Sequence, residues 1–220
     1  NGFKPVLWSV VEATALADAE VEYADHKSNT IFAKFPIQGK FQNLENVKIV
    51  IWTTTPWTIP CNRALAFNSN FEYSLLEIAQ DGEKDTIILA SKLINEVLQS
   101  CNIEEFKVIK SFSGSDFKNL KCFHPFKNYG YDFDVPLLDA DFVTLEQGTG
   151  VVHIAPSHGP DDFNLGLKNN IKAENTIDDN GHYTSIIKKF EGTHIFKADK
   201  IIIEELKLNH RLLGSGSLTH

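Results

Sequence analysis

At 220 residues, with 42% hydrophobic and 23% charged side chains, the chain is long enough to bury its own core as one large domain or two small ones. Its net charge of −8 argues against a free-standing nucleic-acid binder, whose affinity normally rests on many Lys and Arg contacts to phosphate. That balance leaves room for a nucleic-acid substrate held mainly by another part of a larger protein.

No apolar run approaches the length that spans a bilayer. The opening Asn1-Gly2-Phe3-Lys4-Pro5 lacks the basic-then-apolar pattern of a signal peptide, and the absence of any methionine suggests a piece of something longer. The three cysteines, Cys61, Cys101 and Cys122, are widely spaced and form no Cys-x-x-Cys. Neither a disulfide framework nor a thiolate zinc site is indicated, and a reducing cytoplasm is the expected compartment.

In chain order, residues 30–35 and 47–53 predict the first strands, the second rich in β-branched side chains. It runs into Trp52-Thr53-Thr54-Thr55-Pro56-Trp57-Thr58, four hydroxyls and two indoles in seven residues. Pro56 cannot donate to a sheet ladder, so the chain must leave the strand there. The threonines therefore fall at the strand end and in the turn after it, where side chains and freed amides can face a ligand. Thr and Trp are ordinary strand residues, but three consecutive threonines ending in Pro-Trp-Thr exceed what strand propensity asks for. Residues 63–67, 72–78, 85–89 and 106–110 read as further strands, separated by turn material such as Asn68-Ser69-Asn70 and Asp81-Gly82. Residues 91–99 read as a helix, with Ser91 suited to the N-cap and Leu93, Ile94, Val97 and Leu98 on one face.

A second dense patch runs from Gly148-Thr149-Gly150 through His153 and Pro156 to Gly159-Pro160-Asp161-Asp162. Its glycines allow close backbone approach on entry to a strand around residues 151–154. Gly159-Pro160 starts a helix over 160–168 with proline in its first turn. Asp161 and Asp162 then lie at the positive end of the helix dipole, which favours their ionised form. Either stabilises the helix start; if one faces a pocket, a carboxylate kept ionised suits a cationic group better than general-base work. His153 at a strand end is open to a structural or a functional role. His153, His158 and Asp162 match no zinc or two-histidine spacing, and a Thr-His-Asp triad lacks nucleophile-elbow glycines. A last helix is predicted over 197–208, and Gly214-Ser215-Gly216-Ser217 reads as a linker. Strands dominate without strict β-α alternation, so the fold class is α+β: a mixed, barrel-like sheet with a few peripheral helices.

Together the two patches resemble the editing domain (connective peptide 1) inserted into isoleucyl-tRNA synthetase. The resemblance rests on Thr53-Thr54-Thr55-Pro56-Trp57-Thr58 with Asn62-Arg63, and on Gly148-Thr149-Gly150 through His153 to Asp161-Asp162. The openings Gly2-Phe3-Lys4-Pro5-Val6-Leu7-Trp8-Ser9 and residues 14–23 add to it. Valyl and leucyl relatives carry Thr-Thr-Arg-Pro at the first patch; Thr55 and Trp57 here favour the isoleucyl branch. The resemblance implies one editing domain over 1–220, with 1–20 and 210–220 as connecting segments. It implies hydrolytic proofreading of valyl-tRNA(Ile), and of valyl-adenylate, without a cofactor or metal, by a monomeric cytoplasmic protein joined in cis to the rest of a synthetase. Neither His-x-Gly-His nor Lys-Met-Ser-Lys-Ser occurs, so no amino-acid activation is expected of this chain.

By the same resemblance Asp162 holds the substrate ammonium, Thr54 and Thr55 orient the ester and an attacking water, and Thr53 and Thr58 complete the pocket. His153 sets pocket size, and Trp57 and Asn62 shape the pocket or hold the terminal adenosine, a base that aromatic stacking can bind. Two other classes are compatible with these residues: a binding module that needs the full synthetase for turnover, and a metallohydrolase. Lys118, Lys121, Lys188 and Lys189 are scattered along the chain and define no docking surface for RNA.

Overall fold

The computed structural model describes residues 5–21, 27–80 and 82–219; Gly2, Phe3, Lys4, Glu22 and Tyr23 of the opening motifs, and Asp81, lie outside them. The described chain begins with a short hairpin of β1 (Trp8–Ser9) and β2 (Thr14–Ala15), followed by β3 (Lys27–Pro36) and β4 (Lys48–Thr53). A 3-10 turn, Pro56–Cys61, leads to β5 (Ala64–Phe67), β6 (Glu72–Gln80) and β7 (Glu83–Ala90), then α1 (Ile94–Ser100) and β8 (Phe106–Ser113). Next come β9 (Lys121–Phe123), β10 (Asp134–Asp139), β11 (Val152–Ile154), α2 (Pro160–Lys168), α3 (Ile195–Leu208) and β12 (Leu212–Thr219).

Two mixed sheets result. The larger runs β12-β3-β4-β7-β6-β8 and the smaller β11-β5-β10-β9. β4 pairs parallel with β7, and β5 parallel with β10, while the other ladders are antiparallel. The α+β class with peripheral helices is as the sequence indicated. An isolated bridge, Ile37↔Cys122, ties the sheets at one corner, and among the described residues they remain open layers without closing into a ring. Strand alternation explains the core: Ile31, Ala33 and Phe35 of β3 and Ile49 and Ile51 of β4 are wholly buried on the inner face. Phe41, Phe67, Tyr73, Phe112 and Phe117 interlock beside them, largely edge to face.

Two local expectations are corrected. Gly214-Ser215-Gly216-Ser217 is no linker but part of β12, paired residue by residue with Phe32 to Asn29 of β3. Gly214 is needed there because a Cβ would sit 2.6 Å from Cys101 Sγ, so the missing side chain permits close sheet–helix packing. Ser91 does not cap α1; it lies in a 3-10 turn before it, and its hydroxyl bonds Ser74 Oγ at 2.8 Å. Among the described residues no helix is long and apolar enough to cross a membrane.

Candidate functional site

β4 delivers Thr53 to the end of the inner face, 7% exposed. The chain then leaves the sheet as the sequence requires. The Thr55 amide donates to Thr53 Oγ1 at 3.1 Å, and Pro56 opens the 3-10 turn, where its missing N–H costs nothing. Thr58 comes round beneath Thr55, and both its amide (2.9 Å) and its hydroxyl (2.8 Å) donate to the Thr55 carbonyl. Its Oγ1 also meets Thr55 Oγ1 at 3.3 Å and His153 Nε2 at 2.9 Å, while Thr53 and Thr55 hydroxyls meet at 3.1 Å.

One proton order satisfies these contacts together. A hydroxyl has one hydrogen, and Thr58 gives its own to the Thr55 carbonyl, so Thr58 Oγ1 accepts from its other two neighbours. Thr55 accordingly donates to Thr58 and accepts from Thr53. In that order His153 carries its proton on Nε2, and its Nδ1 is buried without a partner. Burial, then the neighbouring His158, lower the His153 pKa to about 4, so the ring is neutral at neutral pH. Thr54 is half-buried, and among the described residues its hydroxyl has no hydrogen bond.

The sheet brings the second patch to the first. β11 pairs antiparallel with β5, His153 opposite Leu65, and the Arg63 amide donates to the Ile154 carbonyl at 2.8 Å. Gly159 then caps α2, with Pro160 in its first turn. The two aspartates occupy different surroundings. Asp162 folds back over the turn, its Oδ1 accepting the Ala155 amide at 2.7 Å. Asp161 stays exposed, on a shallow cavity of about 420 Å³ beside Asp139 and Lys168. The expected effect of the helix dipole on Asp162 is overridden: burial raises its pKa, against the opposing hydrogen bonds from the amides of Ala155 and its own residue. Its Oδ2 lies against Gly159, where a Cβ would come within 2.5 Å. Glycine at the cap leaves room for that oxygen.

Trp57 is half-buried and held at both backbone polar groups. Its amide donates to Asp199 Oδ1 at 3.1 Å, and its carbonyl accepts the Tyr183 hydroxyl. Its ring meets His158 edge to face at 5.1 Å, and both line a cavity of about 480 Å³ that includes Trp8 and Thr176. His158 bonds Thr176 at 2.7 Å, and burial lowers its pKa to about 4. Among the described residues no three His, Cys, Asp or Glu side chains converge as metal ligands would. Asn62 is placed apart from the cavity: it is wholly buried, its Nδ2 donating to the Ala64 carbonyl at 2.8 Å and its Oδ1 unpartnered. It supports the turn from below. Asp199, Tyr183 and Thr176 carry no local sequence signal; only long-range folding brings them to the turn.

Residues 27–207 match the family model described as leucyl-tRNA synthetase, editing domain. Over its full length the chain is 56% identical to an isoleucine–tRNA ligase of Pelagibacter ubique (strain HTCC1062), across 223 residues and 25% of that protein. It is 41% identical to the isoleucine–tRNA ligase of Lawsonia intracellularis (strain PHE/MN1-00), with 99% of this chain and 23% of that protein covered. The chain thus spans about a quarter of the length of these relatives. In fold it is similar to the crystal structure of GlLeuRS-CP1, with a TM-score of 0.62 at 15% identity over 83% of this chain and 97% of that one. It is also similar to the P. falciparum cytosolic leucyl-tRNA synthetase editing domain, with a TM-score of 0.60 at 11% identity over 86% and 98% of the two chains.

Proposed function

The chain belongs to the aminoacyl-tRNA synthetase editing-domain family, in its isoleucine–tRNA ligase branch, and from that premise we propose that it hydrolyses valine from tRNA meant for isoleucine. The need for such a step is general chemistry, and isoleucyl-tRNA synthetase is itself the worked case: one missing methylene is worth only about 1–3 kcal/mol, so a second, smaller site must remove the errors. The observation that carries the reading is the convergence of a directed hydroxyl chain, Thr53 to Thr55 to Thr58, anchored on His153, with the Asp162 carboxylate in the adjoining turn.

In this reading Asp162 Oδ2 takes the α-ammonium of the aminoacyl group, since Oδ1 is already committed to Ala155. The water oxygen adds to the ester carbonyl carbon, the tetrahedral adduct breaks its bond to the ribose oxygen, and that oxygen takes a proton. Neither histidine serves as a strong base: with pKa values near 4 both are neutral and weakly basic at neutral pH. The water is therefore positioned, by the free Thr54 hydroxyl, with a neighbouring ribose hydroxyl assisting. Thr55 orients the ester through its place in the chain. Trp57 and His158 wall the adjoining cavity that receives the terminal adenosine. The same ammonium contact extends the activity to valyl-adenylate. No cofactor enters, and the remainder of the synthetase presents the tRNA end in cis to a monomeric domain.

The test is deacylation of valyl-tRNA(Ile) with isoleucyl-tRNA(Ile) as the parallel control, for the wild type and Asp162→Asn. Asparagine retains an oxygen for the Ala155 amide, so the turn survives. Because the folded pKa of Asp162 is raised, its ionised form costs stability above the unfolded value, so the neutral amide does not destabilise the protein at neutral pH. Valine release is expected to fall about 10- to 100-fold, the rate equivalent of a charge-assisted hydrogen bond of about 1.5–3 kcal/mol. Undiminished release in the variant would remove the role of Asp162. Bound substrate without turnover by the wild type would identify instead a pocket that binds the aminoacyl end and relies on the rest of the synthetase.

A further inference from the structure

The lysines conspicuous in the sequence do not gather: Lys121 is paired with Asp134 and Lys189 with Glu205. Positive charge collects elsewhere. Between the β6–β7 hairpin, the start of β4 and the turn joining α3 to β12 lies a cleft of about 370 Å³, lined by Lys34, Lys48, Lys84, Lys207 and Arg211. Only two carboxylates, Glu83 and Asp85, line it with them, in a protein whose net charge is −8. Asp85 alone is shared by Lys48 and by Lys34, the latter at 2.9 Å, and Lys84 turns away to Glu77 at 3.1 Å. Arg211 is half-buried, and among the described residues its guanidinium has neither a hydrogen bond nor an ion pair. Cations withdrawn from water without matching carboxylates cost free energy until an anion joins them. A guanidinium fork flanked by ammonium groups is the donor set that suits phosphate oxygens.

We propose that this cleft binds the phosphodiester backbone of RNA, docking the same molecule whose aminoacylated end enters the hydroxyl site. The inference rests on the editing reading for that end. Lys48 opens β4 and Thr53 closes it, so cleft and hydroxyl chain stand about 17 Å apart along one strand but on opposite faces of its sheet, and an RNA that reaches both turns round the sheet edge.

The experiment measures binding of an uncharged RNA hairpin with a single-stranded 3′ end by fluorescence anisotropy across a salt series. Wild type is compared with Lys207→Gln, Arg211→Gln, and Lys118→Gln as an exposed lysine outside the cleft. Each cleft variant is expected to weaken binding about 3- to 10-fold at low salt and to reduce the slope of log K against log salt by about one, with Lys118→Gln unchanged. Lys207 is on the exposed rim, so its variant reads the cleft even if Arg211→Gln folds poorly. Hydrolysis of the valyl ester of adenosine, which has no phosphodiester, is followed in parallel and stays constant in both cleft variants. RNA affinity indifferent to Lys207 and Arg211, or no RNA binding by the wild type at low salt, overturns the cleft whatever the ester assay shows. Variant-sensitive binding of inorganic pyrophosphate without RNA binding overturns it too, and marks a site for free phosphates. Failure of wild-type ester hydrolysis with variant-sensitive RNA binding overturns the editing reading and leaves the cleft standing.

Discussion

Thr58 governs the protonation of the site because its one hydrogen is committed to the Thr55 carbonyl. Thr58→Val keeps the shape but removes both that donor and the acceptor for His153 Nε2–H. The buried ring then loses the bond that sets its tautomer. Valine at 58 is expected to cost about 1–3 kcal/mol of stability and to redistribute the proton between the two ring nitrogens, seen in the 15N shifts of His153; Thr58→Ser retains a single Nε2–H form. An unchanged tautomer in the valine variant would show that the ring is ordered by something other than this bond. At this scale the sequence revealed which residues are polar in an unexpected place: three threonines at a strand end, a histidine and a carboxylate after a second strand. It did not reveal their burial, and so it misjudged the direction of the Asp162 shift and the accessibility of Asn62. Ionisation depends on how much water the fold removes, and neighbours such as Thr176 and Asp199 come from distant segments.

Between residue and fold, the loop Gly148-Thr149-Gly150 sets where β11 begins and hence where His153 sits. Gly150 has φ of +78°, and a Cβ there would lie 2.4 Å from the Ala90 Cβ. Its carbonyl accepts the Tyr73 hydroxyl at 2.8 Å, while the Ala90 amide donates to Thr149 at 2.9 Å. Gly150→Ala therefore meets a left-handed backbone and a clash that neither partner can relieve without breaking a buried bond. The cost is expected to be about 2–5 kcal/mol by urea unfolding, a left-handed penalty plus overpacking; a value under about 1 kcal/mol would mean the loop shifts freely. The long strands were legible because runs such as Lys48 to Thr53 are nearly continuous in β-branched side chains, buried on both faces of the sheet. β10 was not, since Pro136 argues against a strand that has neighbours on both sides. The structure resolves this by division of labour: Asp134 to Pro136 pair with β9, and Leu137 to Asp139 with β5. β12 was hidden by glycine and serine, whose ladder bonds leave no trace in side-chain pattern.

Across the whole molecule, charge is unevenly placed: the balance is acidic, yet Lys34, Lys48 and Asp85 meet beneath the basic cleft with side chains 8%, 18% and 14% exposed. Burial alone would raise the Asp85 pKa, but hydrogen bonds from Lys48 and Lys34 outweigh it and hold the carboxyl below its usual range. A carboxylate whose folded pKa is depressed contributes stability above its unfolded value and loses it as pH falls through the folded one. The triad also ties β3, β4 and β7 together on the outer face, opposite the wall that carries Thr53. Removing its single anion leaves two ammonium groups buried against each other. Asp85→Ala is therefore expected to cost about 3–5 kcal/mol at neutral pH, a fall in Tm on the order of 10 °C for a chain of this size. Followed downward in pH, the wild type loses this stabilisation in the acid range where Asp85 takes up its proton, while the variant, already without it, changes less. Parallel acid profiles for the two proteins would show that the triad is electrostatically neutral to folding. Stability then comes from the apolar layers alone, and the cleft's excess positive charge is tolerated without help from Asp85.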